Sequence, residues 1–242
     1  MKSVSAFSLL FICILFTAQA QVTKKTLELP EFKGIYVNSN YTVYLKQTNK
    51  QEVIVEALAE IFQVSDIKVE NGVLMINIDR KPDSPNKSIW AKIDDIKVNP
   101  TMKLYVSVKN INELQVNGGG KIISENSIAA DFMSVGVAGS GSLDLDLKGN
   151  TVKAEVTGPG TLNLRGYATS LEAMLGGSGN LTAFNCPVES AKIKVSGSGH
   201  AELNVSNTLD AVVMGTGSIK HKGNTKNVTK KVYGQGLIDR AY

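Results

Sequence analysis

Between Leu114 and Val232 the chain alternates apolar and polar residues, and the alternation breaks at even intervals on a Gly-x-Gly. The glycine pairs begin at Gly118, Gly139, Gly158, Gly177, Gly197, Gly215 and Gly234, separated by 21, 19, 19, 20, 18 and 19 residues. Two residues before each pair stand Val116, Val137, Val156, Leu175, Val195, Val213 and Val232. Two residues earlier stand Leu114, Val135, Ala154, Ala173, Ile193 and Ala211, and after the glycines come Ile122, Leu143, Leu162, Leu181, Ala201 and Ile219. Period-two alternation puts each column on one face of a strand, and glycines between strands permit positive φ and a tight corner. A period near 19 held over so many units marks a stacked repeat. The spacing predicts a coiled β-solenoid in which each inward side chain rests on its counterpart in the next rung, about 4.8 Å away.

The outward positions agree. Lys153, Glu172, Lys192 and Asp210 each stand five residues before a glycine pair, so successive rungs place opposite charges side by side and a slip by one rung is disfavoured. The last unit puts Lys230 where the inward column had Ala211. With Lys220, Lys222, Lys226 and Lys231 it reads as an atypical end cap whose lysines protect an open β edge and argue against stacking of solenoid ends.

Residues 21–110 repeat less clearly. Short alternating runs recur at 35–37, 43–45, 53–55, 73–76 and 104–108, Glu56 to Ser65 leaves room for one helical turn, and Arg80 to Ser88, with Pro82 and Pro85, reads as an exposed loop. This part is expected to supply irregular rungs and a cap continuous with the regular solenoid of residues 111–242.

Lys2, an apolar run from Val4 to Phe16 and small residues at Ala18 and Ala20 predict a secretory signal peptide over residues 1–20. The run is too short to span a bilayer, and no comparable run follows. Ile12 before Cys13 does not fit a lipidation site. The exported chain then keeps one cysteine, Cys186, so no internal disulfide can form, and nothing near it in sequence would activate the thiol. Composition changes this picture little: 43% hydrophobic and 20% charged residues with a net charge of +4 argue against wholesale disorder and against a nucleic-acid binder.

The segments Phe32-Lys33-Gly34-Ile35-Tyr36-Val37, Tyr41-Thr42-Val43-Tyr44-Leu45, Val69-Glu70-Asn71-Gly72-Val73-Leu74-Met75-Ile76 and Ile111-Asn112-Glu113-Leu114-Gln115-Val116-Asn117-Gly118, in this order before the glycine rungs, carry a family resemblance. From Glu31 onward the chain resembles the exported bacterial proteins described as putative auto-transporter adhesins with a head GIN domain. The resemblance implies an all-β, right-handed, parallel β-helix-like fold and a Bacteroidota-type source, and it offers no catalytic residues. A self-transporting adhesin needs a membrane β-barrel after its passenger, whereas this sequence stops at Tyr242, so the adhesin name is carried by the fold.

Other chemistries fit less well. Calcium-binding repeats need an Asp in every turn, and the positions after the glycines hold Ser142, Thr161, Asn180 and His200 instead. No phosphate-binding loop signature occurs. Asp144 and Asp146 share one side of a strand about 7 Å apart, a glycosidase-like separation, but their neighbours Asn163 and Arg165 read as a solvated face. His200 belongs to the outward column of Ser142, Thr161, Asn180 and Ser218, and neither it nor His221 completes a triad. Tyr36 and Tyr44 alternate away from inward Val37 and Val43. If Asn38-Ser39-Asn40 turned a hairpin, their rings would face each other as a platform for sugar or protein.

The sequence therefore predicts an exported, non-catalytic β-solenoid, without cofactor or metal, that binds envelope or extracellular glycans or proteins from the periplasm, the cell surface or the medium. Its candidate ligand residues are Tyr36 and Tyr44. The alternatives are a carbohydrate-active enzyme with an acidic face and a structural periplasmic spacer.

Overall fold

The computed structural model describes residues 22–79 and 101–241. The signal peptide expected over residues 1–20 and the loop expected over Arg80 to Ser88 lie outside the described residues. The described chain runs through β1 (Val22–Leu27), β2 (Gly34–Val37), β3 (Thr42–Gln47), β4 (Glu52–Leu58), α1 (Ala59–Gln63), β5 (Ser65–Glu70), β6 (Val73–Ile78), β7 (Met102–Val108), β8 (Glu113–Val116) and β9 (Lys121–Ser124). It continues through β10 (Ile128–Ala138), β11 (Ser142–Thr157), β12 (Thr161–Gly177), β13 (Asn180–Gly197), β14 (His200–Gly215), β15 (Ser218–Lys222), β16 (Asn227–Gly234) and β17 (Leu237–Arg240). Together they form a curled, nearly all-β solenoid of about seven turns.

The columns read from the sequence are the columns of the structure. On the front face, Val37, Val116, Val137, Val156, Leu175, Val195, Val213 and Val232 pair rung by rung. On the back face, Val43, Ile122, Leu143, Leu162, Leu181, Ala201, Ile219 and Ile238 do the same. Except for Val232 in the last rung, their side chains belong to one continuous buried core. Outside it, Lys153, Glu172, Lys192 and Asp210 lie in register as predicted. The one unit of 20 residues is also explained: β13 carries one more residue than β12 between the pairs Asn163–Thr182 and Arg165–Asn185, and Cys186, just beyond that bulge, lies in the core at 1% exposure.

The two glycines of a corner answer different demands. Gly139 has φ +111°, a conformation that costs an L side chain. Gly141 has no such φ, but a Cβ there would lie 2.5 Å from the Gly120 carbonyl oxygen of the rung below. The first corner departs from expectation, because Gly118, Gly119 and Gly120 turn it without positive φ.

The amino-terminal half follows a different order in space. β2 and β3 each sit between two later strands: β2 pairs with β6 on one side and β8 on the other, and β3 with β7 and β9. The segment β4 to β7 is thus an insertion that builds the end of the solenoid beyond the first rung. There the ladder turns antiparallel, with β1 on β4, β4 on β7 and β5 on β6. The hairpin from β5 to β6 closes on Asn71 (φ 51°) and Gly72 (φ 76°), the positive pair that a tight hairpin turn requires. α1 crosses from the back face to the front at this end, and its Ile61 is wholly buried in the core. It is the helical turn expected between Glu56 and Ser65. Tyr41, also fully buried, lies within 2.8 Å of Ser65 Oγ through its hydroxyl, and Ser65 Oγ donates to the Ile61 carbonyl.

Candidate functional site

Tyr36 and Tyr44 do not face each other. Asn38-Ser39-Asn40 turns a corner of the solenoid rather than a hairpin, because β2 and β3 hydrogen-bond to other rungs and not to one another. The corner is held by a ladder of amides: Asn117 Nδ2 donates to Asn38 Oδ1 (2.8 Å), and Asn38 Nδ2 donates to Asn77 Oδ1 (2.7 Å). Each tyrosine therefore belongs to a separate face.

Tyr44 lies on the back face in an outward row with Ile54, Tyr105 and Ile123. Its ring stacks on Tyr105 with centroids 5.3 Å apart and planes 15° apart, and Lys24 Nζ sits 5.3 Å from the Tyr105 centroid. Sequence reasoning does not single out Tyr105, because it is 61 residues from Tyr44 along the chain and reaches it only through the insertion.

Tyr36 lies on the front face and donates its hydroxyl to Glu113 Oε1 at 2.5 Å. That bond, then burial, then the carboxylate's charge push the phenol up to about 12, so the hydroxyl stays protonated as a donor. Glu113 also lines a groove of about 450 Å³ with Glu31, Lys33, Gln51, Asn71, Lys109 and Asn112. Four chain segments meet there. Lys33 N–H donates to the Gly72 carbonyl, Asn112 N–H donates to the Lys33 carbonyl, and Gln51 ties down the strand entry by accepting from Phe32 N–H and donating to the Leu29 and Pro30 carbonyls. A second hollow of about 310 Å³ adjoins the groove, sharing Lys33, Asn110 and Asn112 with it and reaching Asp131 and the exposed ring of Phe132. Two carboxylates, Glu31 and Glu113, balance two ammonium groups, Lys33 and Lys109, and side-chain amides stand among them. This arrangement offers many oriented donors and acceptors with little net charge, the chemistry that binds neutral polar ligands.

Of the acidic pair weighed as a catalytic face, the Asp144 carboxylate is paired. Asp144 is 2.5 Å from Arg165 Nη1, and the Asp146 N–H donates to Ser124 Oγ. His200 is in register with Ser218, with Nδ1 2.8 Å from its Oγ, on the exposed outward column predicted for it. His221 is instead an inward residue, paired with Leu203 and 4% exposed, with neither ring nitrogen hydrogen-bonded; burial, then Lys230 and Arg240, hold its imidazolium pKa below the ordinary value. Among the described residues no three His, Cys, Asp or Glu side chains converge as metal ligands, and no helix is long and apolar enough to cross a membrane.

Fold and groove together define a β-solenoid with a polar cleft at its helix-capped end. The chain belongs to the family described as "Putative auto-transporter adhesin, head GIN domain", whose pattern matches residues 31–225. Among solved structures it is similar to a putative adhesin from Bacteroides fragilis (22% identity, 92% of this chain and 98% of that one, TM-score 0.80). It is also similar to a putative lipid binding protein from Parabacteroides distasonis (20% identity, 91% and 97%, TM-score 0.72) and a putative adhesin from Parabacteroides merdae (18% identity, 92% and 97%, TM-score 0.69). At these identities the likeness is one of fold. No match was found among curated proteins.

Proposed function

We propose that this chain is an exported, non-catalytic binding protein of the adhesin type, acting in the periplasm, at the cell surface or in the medium, and that its ligand is a glycan taken into the groove beside Tyr36. The observation that carries the reading is the groove's balance of charge and amides, held on a rigid frame of four hydrogen-bonded segments. A sugar presents hydroxyls that both donate and accept, and Asn71, Asn112, Glu113 and Lys33, carried on backbone that is hydrogen-bonded across the groove, offer both kinds of partner. The Tyr44–Tyr105 stack supplies a second, apolar surface on the back face, against which a sugar ring or a partner surface gains contact area. Of the Asp144 and Asp146 pair, Asp144 is taken by Arg165, which supports binding without cleavage.

The test is an array of bacterial and host polysaccharides scored for both retention and cleavage, with Tyr36→Ala, Asn112→Ala and Tyr44→Ala as separate variants. Retention without cleavage, weakened about tenfold or more by Tyr36→Ala and Asn112→Ala, is expected. Loss through Tyr44→Ala alone would move the site to the back face, cleavage would replace the reading with an enzyme, and silence throughout would turn the search to protein ligands.

A further inference from the structure

The two ends of the solenoid are finished differently. At the amino-terminal end α1 covers the core with Ile61. At the other end the last front-face strand, β16, pairs with β14 alone, so its second edge has no partner among the described residues. Val228 and Val232 sit in the inward columns yet are 41% and 43% exposed, whereas Leu209 and Val213, one rung below, are 0% exposed. Between them, at the inward position opposite Ala211, stands Lys230, whose Nζ donates to the Ile238 carbonyl across the end of the core. Lys231 points outward beside it, and Arg240 occupies the inward column above buried His221.

An open strand edge, two uncovered valines and inward cations restrict what can cover this surface. A second copy end to end would set Lys230, Lys231 and Arg240 against themselves, and a copy head to tail would meet the end that α1 already closes. A hydrocarbon surface would bury the valines but leave the β16 amides and carbonyls without partners. An extended peptide satisfies all three features, since its backbone continues the ladder, apolar side chains cover Val228 and Val232, and carboxylates meet the lysines. We propose that the β16 edge is a docking site for an acidic, extended segment of a partner protein, which adds as the next strand with apolar residues over Val228 and Val232 and acidic residues over Lys230 and Lys231. The lysines that keep the edge from pairing with strands at large thereby select the strand that neutralises them.

This inference is independent of the groove at the opposite end. It is tested with labelled peptides read by fluorescence polarisation on the intact protein: NVTEEVYG, the charge-reversed copy of β16, and NVTKKVYG, the copy of β16 itself. Saturable binding of the acidic peptide, about tenfold or more tighter than the basic one, is expected, and Lys231→Glu should erase the preference. Because Lys231 makes no core contact, that variant keeps its thermal unfolding curve; the Lys230→Glu/Lys231→Glu double variant should reverse the preference. Equal binding of both peptides, or of neither, overturns the proposal. Sedimentation with phosphatidylglycerol vesicles in the absence of peptide binding overturns it in favour of a lipid surface, and a dimer in light scattering that Val232→Glu abolishes overturns it in favour of a second copy.

Discussion

Cys186 lies in the core where β13 bulges against both of its neighbours, and the thiol has no reactive environment there. Burial, with a smaller push from the Asp146 charge, raises it to about 11. The thiolate is the reactive form, so Cys186 in the native protein is expected to resist a thiol-exchange reagent at mildly alkaline pH and to react at once in denaturant; rapid native reaction would mean that the corner opens. His221 makes the opposite kind of prediction. Its folded pKa lies below the unfolded value of 6.5, so the unfolded chain binds the proton first. The stability that the neutral ring contributes is complete above that value and is lost as pH falls below it toward the folded pKa. Lys230 and Arg240 oppose the charge and Asp239 alone favours it. His221→Leu, which continues the Leu203 column, removes a buried ring with two unpaired nitrogens. It should stabilise by about 1–2 kcal/mol near neutral pH and flatten the fall in melting temperature between about pH 7 and pH 5. A variant that tracks the wild type across that range would mean the ring is hydrated or charged in the native state.

A rung is held by its strands, but its spacing is set at the corners. Gly141→Ala forces a Cβ onto the Gly120 carbonyl, a backbone atom that cannot move without displacing a rung, and is expected to cost about 3 kcal/mol in urea unfolding. Gly176→Ala is the control. It lies in extended backbone, and the added methyl would find its nearest neighbour, the Val156 carbonyl oxygen, 4.0 Å away; the variant should stay within about 0.5 kcal/mol of wild type. On the outward ladder, Glu172→Lys places three cations in successive rungs; it should lower the urea midpoint at low salt and lose most of that effect in about 1 M salt. These columns were legible in the sequence because from β8 onward each rung lies next to the rung that precedes it in the chain, so a linear period becomes a spatial stack. Before β8 that identity fails: β2 and β3 meet β8 and β9 only across an insertion of antiparallel strands. No local pattern records that. Asn38-Ser39-Asn40 has the composition of a hairpin turn and of a solenoid corner alike, which is why local pattern pairs Tyr36 with Tyr44 while the fold separates them. The groove was hidden for the same reason, since residues 31–34, 51, 71–73 and 109–113 converge only through that insertion. Its one local trace is the Asn71-Gly72 turn between two alternating runs.

In a stack where each rung touches only its neighbours, stability is close to a sum over rungs and interfaces, so the ends decide where opening begins. The amino-terminal end has antiparallel closure, a buried helical turn and the Tyr41 to Ser65 to Ile61 hydrogen bonds. The other end has one-sided strands and two half-exposed core valines. Hydrogen exchange should therefore show a gradient, with β16 and β17 exchanging first, β14 and β15 next, and the front and back columns of β11 and β12 last. Acidification below the unfolded pKa of His221 should steepen the gradient from that end, because His221 lies one rung in and its protonation draws on the interface that β17 covers. An acidic strand bound to β16 supplies the missing interface, so the same amides become protected in the presence of NVTEEVYG and the protection spreads inward to β14. Uniform exchange along the stack, unchanged by the peptide, would mean that the rungs open as one cooperative unit and that the open end is already as stable as the middle.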